Sequence, residues 1–177
     1  MNKRLLFCME SNSQAKTDYQ YIKATIQRFY ADDKKVAYRA EYLGSKTRYK
    51  EPAVQKKIKE FQKYNKENSH IIYCIDTDDS DVSPVTNKLL KQIQNYCKIN
   101  GFDLILFCRD IEDVYWGKRI SGNEKVQMSI KFKANKRIQE VQEKQLRKNG
   151  DKPHSSNILT VLDCYFTRKP DTANSIV

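Results

Sequence analysis

Four aspartates crowd one short stretch of this chain. The run His70-Ile-Ile-Tyr-Cys-Ile-Asp-Thr-Asp-Asp-Ser-Asp81 begins apolar and β-branched and ends in Asp76, Asp78, Asp79 and Asp81. Ile71 to Ile75 read as a strand buried on both faces. Carboxylates packed at a strand end repel one another, and a divalent cation with a preference for oxygen ligands neutralises them. The competing reading is a solvated turn in which one Asp caps the following helix. More acids follow other strand-like runs: Glu10 closes Lys3 to Met9, and Asp110, Glu112 and Asp113 follow Phe102 to Cys108. In an open parallel sheet, ligands gather at the carboxyl ends of the strands. Acids at three such ends would converge on one edge, a setting that suits one or two Mg²⁺ (or Mn²⁺) ions bridging a phosphate.

The elements that must position these acids are legible in order. Lys3–Met9 predicts a central strand. Thr17 is placed to cap a helix carrying Tyr19, Ile22, Ile26, Phe29 and Tyr30 at helical spacing. Lys35 to Leu43 alternates as a strand and stops at Gly44-Ser45. Pro52 opens a helix with Val54, Ile58 and Phe61 on one face. After the His70 strand, Ser83-Pro84 starts a further helix that Asn100-Gly101 ends, and Phe102 to Cys108 forms a fourth strand. Strand and helix alternate with connections long enough for parallel pairing. The expectation is therefore an α/β fold with a mainly parallel sheet of about four strands flanked by helices, plus a helical C-terminal extension.

Past Cys108 the pattern changes. Arg109 to Trp116 reads as a short helix and Gly117 to Gly122 as a loop. Lys131 to Lys148 reads as a basic helix or arm with a thin apolar stripe of Ile138, Val141 and Leu146. Ser156 opens a last helix carrying Ile158, Leu159, Leu162, Tyr165 and Phe166. Residues 1–117 then form the α/β core, and 118–177 a basic arm and C-terminal helix packed on it, within a single domain. Lys118 to Gly150 is expected to be the most mobile part, inserted over the sheet edge.

Composition narrows the chemistry. The chain has 177 residues with 39% hydrophobic content, enough for one domain with a core. Its five cysteines stand singly without Cys-x-x-Cys spacing, which predicts reduced core thiols. The two histidines, His70 and His154, lie far apart, against a Cys–His nucleophile or a histidine metal site. No apolar run approaches the roughly 20 residues of a membrane span, and the N-terminal run is too short for a signal peptide, so a cytoplasmic protein away from membranes is expected. A formal net charge of +11 favours polyanionic partners. Basic and aromatic residues interleave at Lys46, Arg48, Tyr49, Lys50, Lys56, Lys57 and Lys59, and again at Tyr115, Trp116, Lys118 and Arg119. For Lys56–Lys66 a solvated lysine-rich helix face is the competing reading. The Lys131–Lys148 arm is the stronger candidate for nucleic acid, with Lys133, Lys136 and Arg137 its expected phosphate contacts.

An apolar strand ending in Glu, followed later by a strand ending in Asp-x-Asp, resembles the Toprim domains of topoisomerases, bacterial primases, recombination proteins and overcoming-lysogenization-defect nucleases. Nearer still is the likeness to the RloB-like group of Toprim proteins from prokaryotic defence loci. Thr17-Asp18-Tyr19-Gln20-Tyr21 resembles their helix start, Ile75-Asp76-Thr77-Asp78-Asp79 their acidic strand end, and Ile111-Glu112-Asp113-Val114-Tyr115-Trp116 their later aromatic segment. The glycine that commonly follows the Toprim Glu is replaced by Ser11-Asn12, and Arg109-Asp110 stands where Asn-Pro is expected. The resemblance implies Glu10, Asp76 and Asp78 as catalytic and metal-binding acids, with Asp79 a further metal ligand and Glu112 a further catalytic one. It implies metal-dependent cleavage of nucleic acid, DNA or RNA, with room for an ATPase or another defence-system protein as partner. The alternative is a non-catalytic module that binds nucleic acid or a protein partner and keeps the acids as a relic. A haloacid-dehalogenase-type phosphatase also uses Asp-x-Asp at a strand end, but near the N-terminus and followed by a small hydroxyl residue and Gly, where this chain has Asp79-Ser80. An EF-hand loop is excluded, because Asp81 stands where glycine is needed and Asn87 where the bidentate Glu belongs.

Overall fold

The computed structural model describes residues 2–11, 16–32 and 34–170. Four strands, β1 (Lys3–Met9), β2 (Val36–Tyr42), β3 (Ser69–Asp76) and β4 (Asp103–Phe107), pair in parallel in the order β2-β1-β3-β4. Three helices cross between them: α1 (Thr17–Phe29), α2 (Pro52–Gln62) and α3 (Pro84–Asn100). The expected α/β architecture is the one observed.

Alternation along the central strands divides the core into two layers. Leu5, Phe7 and Met9 of β1 and Ile72 and Cys74 of β3 face α1, through Tyr21, Ile22 and Ile26. Leu6, Cys8, Ile71, Tyr73 and Ile75 face the other way, onto Val54, Ile58 and Phe61 of α2 and Ile93 and Cys97 of α3. After β1 the chain leaves over one face toward β2; after β3 it leaves over the opposite face toward β4. The neighbouring strands β1 and β3 therefore flank a topological switch point, where departing chains diverge and leave a crevice at the carboxyl edge.

Local signals behave as the side chains dictate. Ser83 Oγ accepts from Thr86 N at 3.3 Å, Pro84 takes the first helical position of α3, and Gly101 stops that helix at φ 66°. Thr17, expected as a cap, is instead the first residue of α1, and Lys16 precedes it at φ 50°. The cysteines are free; Cys8, Cys74, Cys97 and Cys108 are buried and Cys164 is exposed.

The C-terminal third departs from the expected basic arm. It forms α4 (Ile111–Trp116), α5 (Lys125–Ala134), two 3-10 turns (Arg137–Glu140 and Glu143–Arg147) and α6 (Ile158–Leu162), which is shorter than the helix expected from Ser156 onward. Phe132, Ile138, Val141, Leu146, Ile158, Leu159 and Leu162 all enter the same core layer as α1. Each such buried side chain contributes about 1.5–3 kcal/mol, so the segment is fastened rather than free. Arg28 of α1 fastens it further, donating to the carbonyls of Ile138 and Val141. The segment also covers the β4 edge. Leu106 N donates to Asn157 Oδ1 at 2.7 Å, Asn157 Nδ2 donates to Leu104 O at 2.9 Å, and Cys108 N donates to Ser155 O at 2.9 Å. The polar edge that would template pairing with another strand is thus filled. No helix among the described residues is long and apolar enough to cross a membrane.

Candidate active site

Glu10 is the first residue beyond β1 and Asp76 the last of β3, so adjacency of the two strands brings them together. Glu10 Oε1 accepts from Asp76 N at 2.8 Å, and Asp76 Oδ1 accepts from Ile111 N, at the start of α4, at 3.1 Å. Burial pushes the Glu10 carboxyl up to about 7; Lys46 and the Asp76 N–H pull it down, while Asp78 and Asp18 push it further up. Asp76 is raised well above the ordinary carboxyl range, by burial first, then by Glu10, Asp18 and Glu112, with Lys125 opposing. In both acids burial outweighs the neighbouring lysine.

Four more carboxylates share this edge. Asp18, 8% exposed, accepts from Ser11 N at 3.1 Å and ties the start of α1 to the end of β1. Asp110 caps α4, accepting from Asp113 N at 2.7 Å. Glu112, 1% exposed, is raised by burial, with Lys125 opposing. Asp78 lies in the β3–α3 loop at φ 47°, beside Arg109 at φ 62°, with Asp78 N donating to Arg109 O at 2.7 Å. Two non-glycine residues in the left-handed region, each costing about 1–2 kcal/mol, hold the two loops zipped at this edge.

Two lysines answer the acids. Lys46 Nζ donates to Asp76 O at 2.8 Å, pairs closely with Asp78 and lies 3.9 Å from Glu10 Oε1. Lys125 Nζ lies 2.9 Å from Glu112 Oε2 and 3.4 Å from Asp110 Oδ2. No three His, Cys, Asp or Glu side chains among the described residues are arranged as a metal-binding group. By kind, the residues fit a divalent cation. The candidate ligands are carboxylate oxygens, Glu10 and Asp76 are lifted chiefly by burial, and Glu10 adds to the lift of Asp76.

The structure thus brings Glu10 and Asp76 into direct contact, joins Asp78 to them through Lys46, and sets Glu112 behind Lys125. Asp79 is exposed and faces the start of α3, where Thr86 Oγ1 donates to it at 3.3 Å. It stands apart from the Glu10–Asp76 pair as a hydrogen-bonding partner. Lys118 and Arg119 are exposed just beyond α4, and Lys133 and Lys136 are exposed at the end of α5. Arg137 stacks over Trp116 at 5.0 Å and pairs with Glu140, so part of its charge is already answered.

Three participants escape a reading by sequence windows. Lys46 belongs there to a cluster of interleaved basic and aromatic residues suited to nucleic acid, yet it is 8% exposed. Its signal is topological: it follows the Gly44-Ser45 turn at the carboxyl end of β2, which neighbours β1. Lys125 carries no local signal. Asp18 stands second in α1, where an acid reads as dipole compensation. The two histidines do not approach each other, but His154 Nδ1 lies 3.0 Å from the buried Asp113 carboxylate. No family model, curated protein or solved structure matches this chain.

Proposed function

We propose that the chain is a Toprim-like, RloB-like phosphodiesterase that cleaves nucleic acid with the help of Mg²⁺ or Mn²⁺. The observation that supports it is the contact of Glu10 with Asp76 across the β1/β3 switch point, with both carboxyls lifted chiefly by burial and Asp76 further by Glu10. A divalent cation, when bound, supplies Lewis acidity to a phosphodiester oxygen and to an attacking water. On this reading Asp76 and Asp78 would hold the cation. Glu10, whose carboxyl is raised to about 7, positions the water and takes its proton near neutral pH. The exposed cations Lys118, Arg119, Lys133 and Lys136 steer and hold the polyanion. The resemblance adds cytoplasmic work in a prokaryotic defence or mobile-element system, beside an ATPase or another defence-system protein.

A second reading rests on Lys46 and Lys125. Their ammonium groups already answer Asp78, Glu112 and Asp110, as they would in a relic site kept within a nucleic-acid-binding module. One assay separates the two. Purified protein is incubated with single-stranded, duplex and structured DNA and RNA in Mg²⁺, in Mn²⁺ and in EDTA, alongside Asp76→Asn. Metal-dependent cleavage that Asp76→Asn abolishes, with folding intact, supports the enzyme. Binding without cleavage, equal in Asp76→Asn, supports the module.

A further inference from the structure

Lys46 is the sole lysine or arginine among the buried described residues, and its ammonium sits at the acidic edge of the sheet. Three oxygens surround Nζ: Asp76 O at 2.8 Å, a close Asp78 carboxylate oxygen, and Glu10 Oε1 at 3.9 Å. These are the residues proposed above to serve the cation. The segment that carries Lys46 is held on both sides. Gly44 turns the chain at φ 77°, Ser45 Oγ accepts from Thr47 N at 3.3 Å, and Tyr49, 4% exposed, accepts at its carbonyl from Tyr73 OH at 2.7 Å. The backbone is therefore anchored while the side chain reaches inward across the end of β1. An ammonium group inserted among the oxygens of three acidic residues does what a small inorganic cation does there.

We propose that Lys46 is the resident counter-ion of the metal-free site, that a divalent cation and the Lys46 ammonium exclude each other, and that Lys46 thereby sets the affinity for metal. The inference rests on the metal-dependent reading of the site. Oxygens draw to about 2.0–2.1 Å around Mg²⁺, whereas an ammonium nitrogen stands off by roughly 2.8 Å, so one set of oxygens cannot close around both. A doubly charged ion placed beside an ammonium in a partly buried crevice also repels it strongly. With its backbone anchored, the Lys46 side chain leaves by rotating its four-carbon stem toward solvent, where its charge becomes free to meet a phosphate.

The test measures metal uptake rather than turnover. Mn²⁺ binding is followed by the loss of the free-ion paramagnetic resonance signal for the wild type, Lys46→Met, Lys46→Arg and Asp76→Asn. Lys46→Met is expected to bind Mn²⁺ at least tenfold more tightly, Lys46→Arg to stay near the wild type, and Asp76→Asn to lose the site. Because Lys46→Met strips positive charge from a buried acidic cluster and can fail to fold without metal, a second measurement uses the unmodified protein. Reductive methylation read by mass spectrometry should label Lys46 slowly in EDTA and at least tenfold faster in saturating Mn²⁺. Mn²⁺ uptake that leaves Lys46 protected, or Lys46→Met binding no tighter than the wild type, overturns the inference while leaving the metal reading standing. Failure of both wild type and Lys46→Met to take up millimolar Mn²⁺ overturns both, and uptake that survives Asp76→Asn puts the ion elsewhere and overturns the inference.

Discussion

Replacing Glu10 by Gln should stabilise the metal-free protein, and the gain should depend on pH. In the unfolded chain Glu10 releases its proton near its ordinary value of 4.5, whereas in the fold it keeps the proton up to about 7. Between those values the folded state binds more protons than the unfolded one, so stability falls as pH rises. Burial is the largest cause, and Asp78 and Asp18 add to it. At 1.36 kcal/mol per pH unit, the full interval corresponds to a loss of about 3 kcal/mol, complete by pH 8. The amide of Glu10→Gln keeps an oxygen for the Asp76 N–H bond at 2.8 Å but never ionises. A gain of about 1–3 kcal/mol at pH 8 follows, shrinking to about a quarter of that at pH 5 and vanishing below pH 4. Urea unfolding in EDTA reads this directly. With a slope near 2 kcal/mol/M, the midpoint should rise by about 0.5–1.5 M at pH 8 and by about a quarter of that at pH 5. Excess Mn²⁺ should reverse the order, because at a hundred times its dissociation constant a ligand adds about 2.7 kcal/mol to the form that binds it. A variant no more stable than the wild type at pH 8, or a difference that is the same at both pH values, would refute the account of Glu10 as an acid raised by desolvation.

Two further predictions concern the C-terminal segment. A Cβ on Gly150 would lie 2.8 Å from Leu106 Cβ and 2.9 Å from Leu106 O, at φ 74°, where the segment crosses the edge strand; Gly150→Ala should therefore cost about 2–4 kcal/mol. Gly101→Ala, with φ 66° but nothing within 4 Å, should cost only about 1 kcal/mol, and paired thermal melts compare the two. If Lys133, Lys136 and Arg137 track phosphates, replacing each by Ala should lower the log–log salt slope of nucleic-acid affinity by about 0.7–0.9; an unchanged slope assigns them to solubility or protein contacts.

The elements of the sheet were written locally. Ile71 to Ile75 form a short β-branched run that favours a buried strand, Ser83-Pro84 and Asn100-Gly101 bound α3, and Glu10 and Asp76 stand where apolar runs stop. These features belong to windows of a few residues, so composition and spacing suffice to read them. The C-terminal segment was not legible in that way. Phe132, Ile138, Val141 and Leu146 reach one core through a helix and two 3-10 turns, and so share no single period along the chain. Strand order was also out of reach. That β1 lies between β2 and β3 is what puts Glu10 against Asp76 and lets Lys46, at the end of β2, reach across to both. A lysine after a Gly-Ser turn reads as solvated because water is its default partner. Burial among carboxylates arises only when three strand ends from distant parts of the chain meet at one edge, and that meeting is decided by how the sheet closes its two apolar faces.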